Sequence, residues 1–305
     1  MFDQAVASAR IFEHKARHSG RSPGLGRTIL LLHGLMGRGS TWFRHVPWLQ
    51  ELGRVITYDA AWHQGRDVDG GSVATERFVA EAAAVLEAHA DMPAVVIGHS
   101  MGGLHAWCLA AARPDLVRAL VVEDMAPDFR GRTLGPWEPW LRSWPVDFPD
   151  AASVDSLVGE VAGRYFRESF DRLPGGGYRL HGHIDAWCAI AAQWGERDYW
   201  PEWEAVSAPA LLIEATGGVT PEGQMRAMAQ RKRDQGGPLV RHAALDTGHL
   251  AHDTEPQACR QLVAAFLAQD VDRSGHDERH RGERDHALRR HECFGPMGER
   301  HGVGR

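Results

Sequence analysis

Short apolar runs bounded by turn residues recur along the chain, with helix-length stretches between them. Thr28 to Leu32, Arg54 to Tyr58, Ala94 to Ile97, Ala119 to Val122 and Ala210 to Ile213 are almost continuously apolar, and Leu239 to Ala243 is read as a further strand. That is the pattern of strands buried on both faces. Between them, Ala74 to His89 repeats apolar residues at Phe78, Ala82, Val85 and Leu86, and Glu255 to Ala268 does so at Cys259, Leu262, Val263, Phe266 and Leu267. Both spacings predict amphipathic helices laid on a sheet. The alternation as a whole predicts an α/β fold with a mostly parallel sheet flanked by helices.

The rhythm stops at Ala126 and resumes at Ala208-Pro209. The interval holds Pro136, Pro139, Pro145, Pro149, the Gly175 to Gly177 triplet and seven of the eleven tryptophans, which reads as a subdomain inserted between two strands of one sheet. From Val271 onward Arg, Asp, Glu and His dominate, and too little apolar surface remains to offset the entropy of ordering the chain. The expected organisation is therefore a core from residues 1–125, an insertion over 126–207, the rest of the core over 208–270 and a disordered charged tail over 271–305.

With Lys+Arg 34 against Asp+Glu 40 and a net charge of -6 over 305 residues, the chain carries no electrostatic footprint for nucleic acid. Met1 to Ala16 bears charges at Asp3, Arg10, Glu13 and Lys15 and lacks the apolar stretch of a signal peptide. The longest apolar runs fall well short of the roughly 20 residues of a membrane span. Cys108, Cys188, Cys259 and Cys293 form no CxxC pair, which suits a reducing, cytoplasmic location.

Candidate chemistry centres on Gly98-His99-Ser100-Met101-Gly102-Gly103, set between an apolar strand and a helix. A sharp turn there strains the backbone and pushes the Ser100 hydroxyl into a cleft. The following helix aims its first amide, that of Met101, at the same point. A second strand ends in His33-Gly34-Leu35-Met36-Gly37, from which the Leu35 N–H supplies a second oxyanion donor, with His33 as an orienting residue of the loop. A general base must reach Ser100 and still be free to turn. Asp246-Thr247-Gly248-His249 follows the last predicted strand and nominates His249, with Gly248 letting the backbone turn; His252 is read as a supporting or surface residue. His181-Gly182-His183-Ile184-Asp185 matches the opening of a binuclear metal site, but the further ligands such a site needs are not evident. The irregularly spaced tail histidines read as solvated. No metal or cofactor is expected.

Together these residues, with Arg113 to Arg118 leading into a strand, resemble the α/β-hydrolase superfamily in its capped serine-hydrolase, esterase-like branch, over roughly Thr28 to Leu267. The resemblance implies that the insertion is a helical lid and that Ser100, His249 and an acid form a triad. A serine at the elbow departs from the dehalogenase and epoxide-hydrolase branches, whose nucleophile is an aspartate. The loop after Tyr58-Asp59 departs from the family's usual turn, and the strand that usually supplies the acid ends in Glu214-Ala215-Thr216-Gly217 without an aspartate. Asp124, at the end of the preceding strand, is then the expected acid, with Glu214 and Asp128 as rivals. Glu123 should point to the opposite face by strand alternation. The implied activity is hydrolysis of an ester, thioester or related carbonyl through an acyl-enzyme on Ser100. A small-molecule sensor of the same fold with little turnover is the alternative. The expected partner is a small molecule with an apolar acyl or aromatic group. The tryptophans either line its pocket or pack the lid, and Arg130 and Arg132 stand near the lid entrance.

Overall fold

The computed structural model describes residues 10–15, 27–66, 69–90 and 93–271. Its central sheet has the strand order β1-β3-β2-β4-β5-β9-β10, formed by β1 (Arg10–His14), β2 (Thr28–Leu32), β3 (Arg54–Asp59), β4 (Ala94–His99), β5 (Val117–Glu123), β9 (Ala210–Gly217) and β10 (Val240–Gly248). Every neighbouring pair is parallel except β1 and β3. The predicted strands are all present, but β10 lies at the sheet edge opposite β1 and is mostly half-buried or exposed, not buried on both faces as expected. β1 is an addition: its Arg-Ile-Phe-Glu-His lacks the apolar run of a doubly buried strand because it is an edge strand, largely exposed.

Strand residues alternate between two cores. Leu30, Leu32, Ile56, Val96, Leu120 and Val122 pack on one face with Phe78 and Ala82 of α2 (Thr75–His89) and Leu104 and Trp107 of α3 (Met101–Ala112). Ile29, Leu31, Val55, Val95, Val121 and Ile213 pack on the other, against Val46 and Leu49 of α1 (Val46–Leu49) and Val263 and Phe266 of α11 (Pro256–Phe266). The period of two explains why the runs are apolar throughout. Truncating a fully buried leucine such as Leu30 to alanine should cost about 2–5 kcal/mol. α3 is buried on nearly all sides, as a helix apolar all round must be.

Between β5 and β9 the chain forms α4 (Leu134–Arg142), β6 (Asp147–Phe148), α5 (Ala151–Val158), α6 (Glu160–Ser169), β7 (Asp171–Arg172), β8 (Tyr178–Arg179), α7 (Ile184–Glu196) and α8 (Trp200–Ala205). The segment is mostly helical, and it also holds a three-stranded sheet of order β6-β8-β7, whose two-residue strands leave no periodic signal. α5 starts at a reciprocal cap between Asp150 and Ser153. Trp144, Phe148, Phe166 and Phe170 meet edge to face or stacked, and form an aromatic core within the insertion. Trp187 and Trp203 are wholly buried, and their indole N–H groups donate to the carbonyls of Trp62 and Met228. After β9 come α9 (Gln224–Asp234), β10, α10 (Ala251–Thr254) and α11. No helix among the described residues is long and apolar enough to cross a membrane. The expected charged tail lies, from residue 272 on, outside the described residues.

Candidate active site

Ser100 stands between the end of β4 and the start of α3 with φ 53° and ψ -123°, a backbone conformation that costs a residue with a side chain about 1–3 kcal/mol. The surroundings impose it. The Ser100 N–H donates to the carbonyl of Glu123 at 2.9 Å, and its own carbonyl accepts from Gly103 at 2.7 Å. Strand and helix cross so closely that a Cβ on Gly98 would lie 2.2 Å from the carbonyl oxygen of Gly102, and one on Gly102 would lie 2.2 Å from that of Leu32. This is the steric reason for the glycines on either side of the serine.

Asp124 follows β5 with φ 43°, a left-handed conformation that aspartate adopts more readily than most residues. Its carboxylate is fully buried and accepts three hydrogen bonds: from His249 Nδ1–H at 2.6 Å, from the Val219 N–H at 3.0 Å and from the Thr220 hydroxyl at 3.2 Å. Although β9 lies between β5 and β10, the turn that follows it brings Val219 and Thr220 over as donors and so supports the carboxylate on its way to His249. With Nδ1–H committed to Asp124, His249 Nε2 is left as the basic nitrogen. The two rival acids lie elsewhere. Glu214 accepts from His242 Nε2 at 2.5 Å, and Asp128 pairs with Arg130.

β10 runs to Gly248, well past the predicted end at Ala243. The polar Asp246-Thr247 hid this extension, and a register irregularity between Leu245 and Gly248 interrupts the pairing with β9. His249 therefore leaves a strand end directly, and Gly248 does not adopt a glycine-specific φ, contrary to the expected role of that residue. In the loop after β2, Gly37 N–H closes a turn on the Gly34 carbonyl at 2.9 Å, and Met36, at φ 62°, donates its N–H to His63 Nε2 at 3.2 Å. His33 is buried, donates from Nδ1 to the Gly34 carbonyl and accepts at Nε2 from Ala60. Burial holds its imidazole down to about 4 and that of His63 well below the ordinary value, so both serve as neutral donor–acceptor groups.

Ser100, His249 and Leu35 share one cavity of about 720 Å³, within the usual size for small-molecule sites. Met101, next to Ser100, is buried as the first residue of α3. Across from them, Trp137, Trp140, Leu141, Val158, Phe166 and Trp194 supply an apolar wall. Three of the insertion's tryptophans thus reach the cavity, whereas Trp144, Trp187 and Trp203 are packed inside. The described lining residues include no lysine or arginine, and their one carboxylate, Glu160, is exposed. Arg130 pairs with Asp128 and Asp198. The His-x-His-x-Asp motif does not converge: His181 is buried among His63, Phe170 and Trp187, His183 bonds the Arg66 carbonyl, and Asp185 pairs with Arg142.

One group escaped the sequence reading. Glu123, like its neighbour Asp124, holds a histidine: its carboxylate accepts from both the backbone N–H and Nδ1–H of His252, at 3.0 and 2.8 Å. His252 is deeply buried, not at the surface. The doubled spacing, an acid one residue before Asp124 and a histidine three residues after His249, was the available signal.

A model of the alpha/beta hydrolase family matches residues 29–262. The chain is 28% identical over 261 residues to the sn-1-specific diacylglycerol lipase ABHD11 of Mus musculus, covering 79% of this chain and 80% of that protein. It is 40% identical over 98 residues to lipase LipV of Mycobacterium tuberculosis, a match that spans 32% of this chain and 37% of LipV. Among solved structures, that of an E-2-(acetamidomethylene)succinate hydrolase superposes with a TM-score of 0.69 at 20% identity, covering 80% of this chain and 92% of the other.

Proposed function

The chain belongs to the alpha/beta hydrolase family, and from that premise we propose that it is a serine hydrolase that cleaves an ester, thioester or related carbonyl through an acyl-enzyme on Ser100. The observation that carries this reading is the 2.6 Å bond from His249 Nδ1 to the buried carboxylate of Asp124, on the same cavity that Ser100 lines. His249 Nε2 takes the proton of Ser100 as its Oγ attacks the carbonyl carbon, and Asp124 stabilises the imidazolium that forms. The N–H groups of Leu35 and Met101 receive the developing oxyanion. As the tetrahedral intermediate collapses, His249 returns the proton to the leaving oxygen or sulfur. Water then attacks the acyl-serine by the same route and regenerates Ser100.

The substrate's apolar acyl or aromatic part rests against Trp137, Trp140 and Trp194. A wall without lysine or arginine offers no partner for a carboxylate, so neutral substrates are preferred to dicarboxylate derivatives of the kind named for the superposed succinate hydrolase. The helical segment over residues 126–207 acts as a lid that excludes water from the acyl-enzyme. Hydrolysis of p-nitrophenyl esters of increasing chain length tests the proposal. Multiple turnover with a chain-length optimum is expected, and it should disappear in Ser100→Ala. Ligand-induced thermal stabilisation without turnover would instead favour the sensor reading.

A further inference from the structure

Next to Ser100 and His249 lies a buried cluster that the mechanism above does not use; only its His99 lines the cavity. It contains Glu123, His252, His99 and His45, all at most 3% exposed. Glu123 reaches His252 through two hydrogen bonds, and Trp42 stacks on the His252 ring at 4.9 Å between centroids. His99 stands between the cluster and the site. Its ring lies 4.6 Å from that of His249 and 4.9 Å from that of His252, and its Nε2–H donates to the backbone carbonyl of His249 at 3.0 Å.

We propose that Glu123, His252 and His99 form a positioning network that holds the segment carrying His249 against the strand ends carrying Ser100 and Asp124. The inference rests on the serine-hydrolase reading. Three contacts tie the base down: Asp124 at its ring, His99 at its carbonyl and Glu123 at the residue three places further on. His249 itself keeps a side chain about 30% exposed, and a ring open to the cavity gains little packing to fix its direction. The anchors must then come from its buried neighbours. Glu123 and Asp124 are consecutive, and the Glu123 carbonyl also accepts the Ser100 N–H. One short stretch of chain therefore fixes all three members of the triad relative to each other.

The electrostatics suit a charged anchor. Burial opposes ionisation of Glu123, but the His252 charge and its hydrogen bonds outweigh it and hold the carboxyl near 2, while the same pairing raises His252. His99 and His45 are held low, chiefly by burial, and stay neutral. The other charged groups facing the cluster are Asp253, 3.9 Å from His252 Nε2, and Arg44, which pairs with Asp253. Breaking a buried pair by neutralising one partner leaves the other uncompensated, so Glu123→Gln should loosen the segment while keeping nearly the same volume.

A double-mutant cycle on ester hydrolysis, with the one-dimensional proton spectrum of each variant, tests the network. The expected result is that Glu123→Gln lowers kcat about ten- to a hundredfold with KM changed less than twofold. In a His249→Ala background it should change the residual rate less than twofold, because its target is gone. The far-downfield Nδ1–H resonance of His249, identified by its loss in Asp124→Asn, should broaden or vanish. Equal losses in both backgrounds, or full activity in Glu123→Gln, would overturn the proposal. If Glu123→Gln does not fold, the His99 series decides. His99→Leu should lower kcat alone, and His99→Gln, which can still donate to the His249 carbonyl, should restore at least half of the lost rate; no loss, or equal loss in both, overturns the network. An unreactive Ser100 in the wild type with an intact downfield resonance would refute the hydrolase reading instead, and the loss or persistence of that resonance in Glu123→Gln would still decide the network.

Discussion

Glu123 and Asp124 are neighbours in the chain, and each holds a histidine at Nδ1, but the two pairs sit in opposite surroundings. His249 opens onto an apolar cavity beside Ser100 and leaves Nε2 free for proton transfer. His252 is sealed among Trp42, His45, His99 and Tyr165 and does not line that cavity. An acid–histidine pair is thus not in itself a catalytic device. On the proposed reading, access to a nucleophile and to a substrate makes it one, and the same chemistry shut away from the cavity anchors the chain.

That contrast can be broken most severely at the open pair. Ser100→Ala should lower kcat by roughly 10⁴-fold or more, and His249→Ala by a similar factor, because members of a triad act as a unit. Steady-state hydrolysis of a short-chain p-nitrophenyl ester measures both, and most of the activity surviving in Ser100→Ala would refute the acyl-enzyme route. Next in size, Asp124→Asn should cost up to about 10⁴-fold in kcat, since the amide favours the wrong imidazole tautomer. Glu214→Gln, which disturbs only the bond to His242, should leave turnover within a few-fold of wild type. At the sealed pair Glu123→Gln is expected to act only through His249, with the smaller loss given above.

A separate effect, on stability rather than turnover, concerns pH. His33, His45 and His105 are buried with their imidazoles held down to about 4, 3 and 3, burial being the main cause. The unfolded chain binds protons at these positions from about pH 6.5 downward. Stability is therefore present above that value and is lost as pH falls towards the folded values, by about 1.4 kcal/mol per pH unit for each such group. The sealed pair behaves differently. The contribution from Glu123 is complete above its unfolded value near 4.5 and is lost as pH falls towards 2. That from His252, whose folded pKa is raised, is complete below about 6.5 and is lost as pH rises through the folded value. Urea midpoints measured from pH 4 to pH 8 should fall on the acid side for the wild type, and the deficit of Glu123→Gln should be largest between about pH 4.5 and 6.5. A flat midpoint across that range would contradict the assigned neutral histidines.

How much of this could be read from the chain depends on how local each signal is. The doubly buried strands announce themselves because apolar residues fall on both of their faces, and α3 appears between Met101 and Ala112 because the glycines of the elbow mark its start. β1 stayed hidden because an exposed edge strand needs no apolar run. β6, β7 and β8 did so because two residues carry no period. Ser100, His249 and Asp124 were nominated by their places at strand ends. The contact of Asp124 with Val219 and Thr220 depends on a turn nearly a hundred residues away and has no local trace. His252 reads from the chain as a supporting or surface residue, and its pairing with Glu123 has no local trace because the two lie 129 residues apart.

If Asp124 orients His249, the reactivity of Ser100 depends on that carboxylate. The most direct measurement is mass spectrometry of the wild type, Asp124→Asn and Glu214→Gln after timed exposure to a fluorophosphonate. A single adduct on the peptide containing Ser100 is expected, formed at similar rates in the wild type and Glu214→Gln and at least a hundredfold more slowly in Asp124→Asn. An adduct on another residue, or rapid labelling of Asp124→Asn alongside loss of labelling in Glu214→Gln, would contradict it.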